Sequence, residues 1–235
     1  MVFSRVEGGG LSNALNVEIG PPPTFTPSGV TSAASPSVSG PLVPGGIHSI
    51  FGSNLAPDIA LPGPPPLPFT LGGVTVEVNG VPAALFYVSP AQITFQAPWE
   101  LDGFNRVPFT IINGTLVSST GVVNVVKAAP ALFSVNGRGT GQGNILIDAP
   151  DSPIAAPTGA FAGSRPARAG ETIRIYGTGL GSPSAIPLDG YLPFVPAISR
   201  TPVVTIGGVQ ATVSISELAR QTVGLYRIDA VIPRE

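Results

Sequence analysis

The chain has no cysteine, and only one histidine, one methionine and one tryptophan among its 235 residues. Without thiols there are no disulfides, no thiolate nucleophile and no cysteine-ligated zinc. The single imidazole, His48, has no second histidine with which to build a metal site and argues against a Ser-His-Asp triad. It sits in the strand-like run Ile47 to Phe51 and reads as an ordinary strand residue. Charge is also scarce: 10% of residues are charged, against roughly a quarter in ordinary soluble domains. A formal net charge of −2, with Lys and Arg scattered, leaves no electrostatic footprint for nucleic acid. No apolar run approaches the roughly 20 residues of a membrane-spanning helix. The opening Met1-Val2-Phe3-Ser4-Arg5 lacks a basic-then-apolar signal segment, so an exported form is expected to be a mature chain or an excised fragment.

What the chain does have is glycine (30), proline (28) and 43% hydrophobic residues. That apolar content is enough to offset the entropy of ordering, so a folded chain with short strands and many turns is expected. Alternating runs recur: Val74, Val76 and Val78 around Thr75 and Glu77; Ile93, Phe95 and Ala97 around Thr94 and Gln96. Ile173 and Ile175 flank Arg174, and Ile228, Ala230 and Ile232 flank Asp229 and Val231. Asn79-Gly80 favours a type I′ hairpin turn, whereas Gly52 and Gly177 read as glycines that end a strand where the chain bends.

Self-comparison exposes a duplication. Gly45 to Leu55 matches Gly170 to Leu180, Val76 to Val81 matches Val204 to Val209, and Gln92 to Pro98 matches Arg227 to Pro233. The offset between matched blocks grows only from 125 to 128 to 135. The expected fold is therefore all-β, with two tandem immunoglobulin-like β-sandwich domains at residues 40–127 and 128–235. Residues 21–39, rich in Pro, Ser and Thr, read as a linker suited to O-linked sugars. The longest loops are expected at Ala56 to Phe69 and Asp148 to Arg165.

The second module stops short. The first continues through Val107 to Gly114 and Val117 to Val126, a terminal hairpin, whereas the second reaches Pro233 and ends at Glu235. Phe3-Ser4-Arg5-Val6-Glu7-Gly8 parallels Phe109 to Gly114, and Leu15, Val17 and Ile19 parallel Gly121, Val123 and Val125. Residues 1–20 thus read as the missing hairpin at the other end of the chain. Phe3, Val6, Leu15, Val17 and Ile19 are the expected donor plugs, and Val204, Ile206, Ile228, Ala230 and Ile232 the acceptor groove. Three routes are open: insertion into the same chain, insertion into the next molecule by strand addition, or one period cut from a longer array. The intermolecular route is favoured.

The strings Leu42 to Ala56, Val78 to Ala83, Phe86 to Ile93, Gln96 to Glu100, Ala129 to Phe133, Gly141 to Gly143 and Tyr176 to Gly181 together resemble an uncharacterised Ig-like family of secreted acidobacterial proteins of the Solibacter type. The likeness covers residues 30–235 or so. In that family a Ser-Asn strand closes the module; here Ser12-Asn13-Ala14-Leu15-Asn16-Val17 carries that signature at the opposite end. The resemblance implies an IPT/TIG-like sandwich and export, and no chemistry.

Candidate chemistry is thin. Gly137 to Gly143 has no following helix pattern and no Gly-Lys-Ser/Thr, so it reads as a turn and not a phosphate loop. Asp148, Asp151 and Asp189 lack calcium-loop spacing. Trp99, Tyr87, Tyr176 and Tyr191 are available as sugar platforms, although inter-domain packing suits Trp99 better. Asn113-Gly114-Thr115 is a formal glycosylation sequon in a hairpin turn. No enzyme and no cofactor are expected. The expected role is an extracellular or cell-surface structural subunit that binds copies of itself head to tail, with a glycan- or protein-binding surface module as the alternative.

Overall fold

A computed structural model describes residues 20–234, and the fold is all-β with antiparallel sheets and no α-helix among those residues. The first module is a complete sandwich. One sheet is built from β1 (Thr24–Ser32), β2 (Ser35–Ser39), β3 (Ile47–Ser53), β6 (Ala84–Val88) and β7 (Gln92–Gln96), in the order β2-β1-β3-β7-β6. The facing sheet runs β10-β8-β4-β5, from β4 (Val74–Val78), β5 (Val81–Pro82), β8 (Arg106–Asn113) and β10 (Gly121–Asn124), with β9 (Leu116–Val117) paired to β8. Alternation decides which side chains meet. Val74, Val76 and Val78, with Phe109 and Ile111, close on Ile50, Leu85, Ile93 and Phe95, all fully buried. Phe95 and Phe109 tie the layers together, ring centroids 5.6 Å apart.

The second module is a six-stranded sheet, in the order β11-β13-β16-β15-β14 with β12 paired to β13. Its strands are β11 (Ala131–Leu132), β12 (Ile145–Ile147), β13 (Thr172–Thr178), β14 (Val204–Ile206), β15 (Val209–Leu218) and β16 (Tyr226–Val231). Its separate core holds Ile173, Ile175, Tyr226, Ile228 and Ala230. The matched sequence blocks occupy matched strands: β3 and β13, β4 and β14, β7 and β16. The turns agree as well. Asn79 and Gly80 both have positive φ (56° and 76°), as do Gly207 and Gly208 (60° and 86°), giving the primed turn that a twisted hairpin requires.

Three expectations change. Residues 21–39 are not a spacer: most of the segment forms β1 and β2, with Val30 and Thr31 buried in the first sheet. Strand pairing breaks register between Phe25 and Val30, around Pro27 and Gly29. That irregularity hides the strand from an alternation test, while β-branched Thr and Val still favour it. Gly52 and Gly177 lie inside β3 and β13 and do not mark bends. A Cβ on Gly52 would stand 2.2 Å from the Thr24 carbonyl, and one on Gly177 would stand 2.8 Å from that of Ala131. Both glycines let a neighbouring strand approach. Finally, the longest stretch without a strand is 179–203, between β13 and β14, and it crosses to the first module.

The two modules share packing through Trp99, in a short 3-10 turn (Trp99–Leu101) that follows β7. Its indole is buried and belongs to the second module's core, although its chain position belongs to the first. Gly45 lies under the ring: a Cβ there would sit 2.0 Å from it, and its φ of 67° is the left-handed one that glycine tolerates. Trp99→Ala should cost about 3–5 kcal/mol, the usual range for a buried tryptophan. Calorimetry should then show the second module melting separately, at lower temperature. A single unshifted transition would contradict the shared packing.

Candidate functional site

Two regions hold the residues that sequence reasoning singled out: the junction between the modules and the outer edge of the second sheet. At the junction the Ile47 N–H donates to Thr178 Oγ1 at 2.8 Å, and that hydroxyl donates to the Gly224 carbonyl at 3.0 Å. The long 179–203 segment docks on the other side. Gly190 N–H donates to the buried Gln96 Oε1 at 2.7 Å, and the Gly190 carbonyl accepts from Leu67 N–H at 2.8 Å. Leu67, Ala84 and Val223 form a small apolar cluster there, with Phe86 and Leu192 against it. Separations of 94 and 131 residues in the chain explain why none of these pairs shows in a sequence.

Asp189 lies within this contact. Its Oδ1 accepts from the Trp99 N–H at 3.2 Å, and the exposed Glu100 stands beside it. Partial burial, and then the neighbouring Glu100 charge, push the Asp189 carboxyl up to about 7. His48 is the opposite case. It is buried in β3, its Nε2 accepts from Val43 N–H at 3.1 Å, and its Nδ1 is 3.2 Å from the Thr31 carbonyl. Those partners suit a neutral ring that donates from Nδ1. Burial lowers its pKa to about 4, so it staples β1 to β3 as a structural strand residue.

Other candidates take structural places. Asp148 pairs with Arg174 at 2.7 Å, and the buried Asp229 is held by Arg174 and Arg227. Among the described residues no three of His, Asp and Glu are grouped as a metal would need. The 137–143 segment is a turn in which Gly139 N–H donates to Ser134 Oγ, and a Cβ on Gly139 would stand 2.7 Å from the Ala34 carbonyl of the first module. Trp99, being buried, is no sugar platform, whereas Tyr176 and Tyr191 line surface cavities.

Of the acceptor residues only Val204 and Ile206 lie on the edge strand β14; Ile228 and Ala230 are buried on the interior strand β16 and Ile232 follows it, and Val204, Ile206 and Ile232 are half-buried against the same core. The counterpart strand β4, with Val74, Val76 and Val78 fully buried, lies between β5 and β8, pairing with β8 through five residues, Val78 opposite Phe109 and Val76 opposite Ile111. β14 pairs only with β15 among the described residues. The donor residues Phe3, Val6, Leu15, Val17 and Ile19 lie outside the described residues.

No model of a known protein family matches the chain, and no curated protein matches it.

The two titrations oppose each other. The raised Asp189 value means the folded chain holds a proton the unfolded one releases, so this contribution is largest below about pH 4 and is lost as pH rises through about 7. The lowered His48 value works the other way: its stability is full above 6.5 and is lost as pH falls towards about 4, on the order of 3 kcal/mol. Asp189→Asn should therefore leave a stability profile that rises with pH across this window more steeply than the parent's. Denaturant melts at stepped pH measure it, and parallel profiles would rule out the Asp189 assignment.

Proposed function

We propose that the chain is a non-enzymatic, extracellular structural subunit with two immunoglobulin-like modules. Residues 1–20 of one copy complete the second module of the next, giving a head-to-tail fibre. The observation that carries this reading is the contrast between β4 and β14. Equivalent strands by sequence, β4 has its valines buried and is flanked in its sheet by β5 and β8, whereas β14 is half-buried, with β15 its sole partner among the described residues. An open sheet edge beside an incompletely covered apolar face invites strand addition. The resemblance to the secreted acidobacterial Ig-like family, with its closing Ser-Asn strand found at residues 12–13, supports the same reading.

Chain connectivity favours a neighbour over the same chain as donor. Thr24 pairs with Ser53 at one end of β3, and Gly20 lies against Asn54, Pro57 and Asn113 at that same end. The junction is at the opposite end, at Ile47, about 20 Å away by strand rise. The second module lies beyond it. A donor ending at Ile19 is one peptide, about 3.8 Å, from Gly20. The 21–39 tether that self-insertion would use is committed to β1 and β2, which favours a neighbouring chain as the donor.

The register of the first module predicts the register of the joint. Phe109 opposite Val78 corresponds to Phe3 opposite Ile206. Because the chain has no native cysteine, Phe3→Cys with Ile206→Cys gives a clean cross-link test. A ladder of disulfide-linked oligomers on a non-reducing gel is expected. A cross-linked monomer would mean self-insertion, and no cross-link would sink the pairing altogether.

A further inference from the structure

We infer that the cleft between the two modules is a binding site for an uncharged saccharide. The cleft, of about 530 Å³, is lined on one side by Ile47, Phe86 and Thr94 of the first module. The other side is lined by Phe133, Asn144 and Tyr176 of the second, with Gln221, Thr222 and Leu225 from the β15–β16 loop at its rim. The inference does not rest on the fibre reading, since the lining residues named belong to a single chain and none of them lies on β14.

Three features carry it. First, rings stand where the strand pattern does not need them. On β13 the alternation buries Ile173, Ile175 and Gly177 and leaves Tyr176 half-buried on the outer face. Phe86 on β6 is likewise half-buried beside fully buried Ala84, Leu85 and Val88. Phe133 is the third half-buried ring. Neither Tyr176 nor Phe133 belongs to a core cluster. Aromatic faces of this kind stack on the C–H face of a sugar ring.

Second, the polar groups are the neutral ones that bond sugar hydroxyls: the amides of Asn144 and Gln221, and the hydroxyls of Thr222 and Tyr176, while those of Thr94 and Ser134 are engaged by Ser49, Gln92, Asn136 and Gly139. Among the described residues no Lys, Arg, Asp or Glu lines the cleft. The charged residue opposite Tyr176 in the sheet, Arg227, is engaged by Asp229. That charge pattern complements an uncharged ligand and gives an anionic polymer or a charged peptide no counter-ion.

Third, the walls are fixed before any ligand arrives. Asn144 N–H donates to the Phe133 carbonyl at 2.7 Å, and Phe133 N–H donates to that of Tyr176 at 3.2 Å. The floor residue Ile47 is tied across the junction to Thr178. A cleft whose two sides are already braced loses little entropy on binding.

The test is affinity electrophoresis of the full chain in gels containing, in turn, β-1,4-glucan, β-1,3-glucan, xylan and α-glucan, with a sulfated and a carboxylated polysaccharide alongside. At least one neutral polymer should retard the chain. Tyr176→Ala should weaken that retardation about tenfold. Asn144→Ala, at an exposed site that does not threaten the fold, should weaken it too. Phe194→Ala, an exposed ring elsewhere, should leave it unchanged, and thermal melts should show all variants folded. Retardation by no neutral polymer, by the acidic polymers alone, or in Tyr176→Ala and Asn144→Ala as strong as in the parent chain would each overturn the assignment.

Discussion

A β-sheet with one apolar face is stable only when that face is covered, and the way each module meets this requirement decides the rest of the structure. In the first module the same stretch of chain completes both layers: β8 follows β7 and pairs beside β4, β10 pairs beside β8, and Val74, Val76, Val78 and Phe109 of that sheet bury themselves against Ile50, Ile93 and Phe95 of the facing one. In the second module the sequence leading to β16 repeats that plan up to the point where the covering hairpin would follow. The apolar pattern of β14 is kept, with Val204 and Ile206 half-buried against the second core.

Where the cover comes from is a question of tethers. In the proposed assembly a flexible 21–39 segment would leave the donor free to fold back, whereas strands β1 and β2 fix Thr24 beside Ser53 and favour a neighbour. The junction then sets the spacing of any repeating assembly. Trp99, seated in the second core, and the Gln96–Gly190 and Ile47–Thr178 bonds hold the modules in one arrangement. The same bracing shapes the inter-module cleft into a preformed concave surface.

Much of this was legible in the sequence, for identifiable reasons. Duplicated blocks predicted matched strands because each carries its own period-two pattern and its own Gly-containing turn. Trp99 after Pro98 predicted a packing role across the junction. Residues 24–39 were missed because Pro27, Gly29 and the break in register spoil alternation, leaving a composition that resembles a linker. Gly52 and Gly177 were noticed but misread, since a glycine needed for close strand approach looks, in sequence, like one needed for a bend. The docking of Asp189 and Gly190, and the gathering of Phe86, Phe133 and Tyr176 around one cleft, depend on contacts between distant parts of the chain that no local pattern encodes.

The central claim is that residues 1–20 supply the cover for a second module in another molecule. Its most direct measurement is the mass distribution of the purified chain by analytical ultracentrifugation, with electron microscopy, beside a version lacking residues 1–20. The account predicts a concentration-dependent series of oligomers and fibres for the full chain, and their loss, with a less stable second module, on deletion. A full-length chain that stays monomeric, and is as stable without those residues as with them, would contradict it.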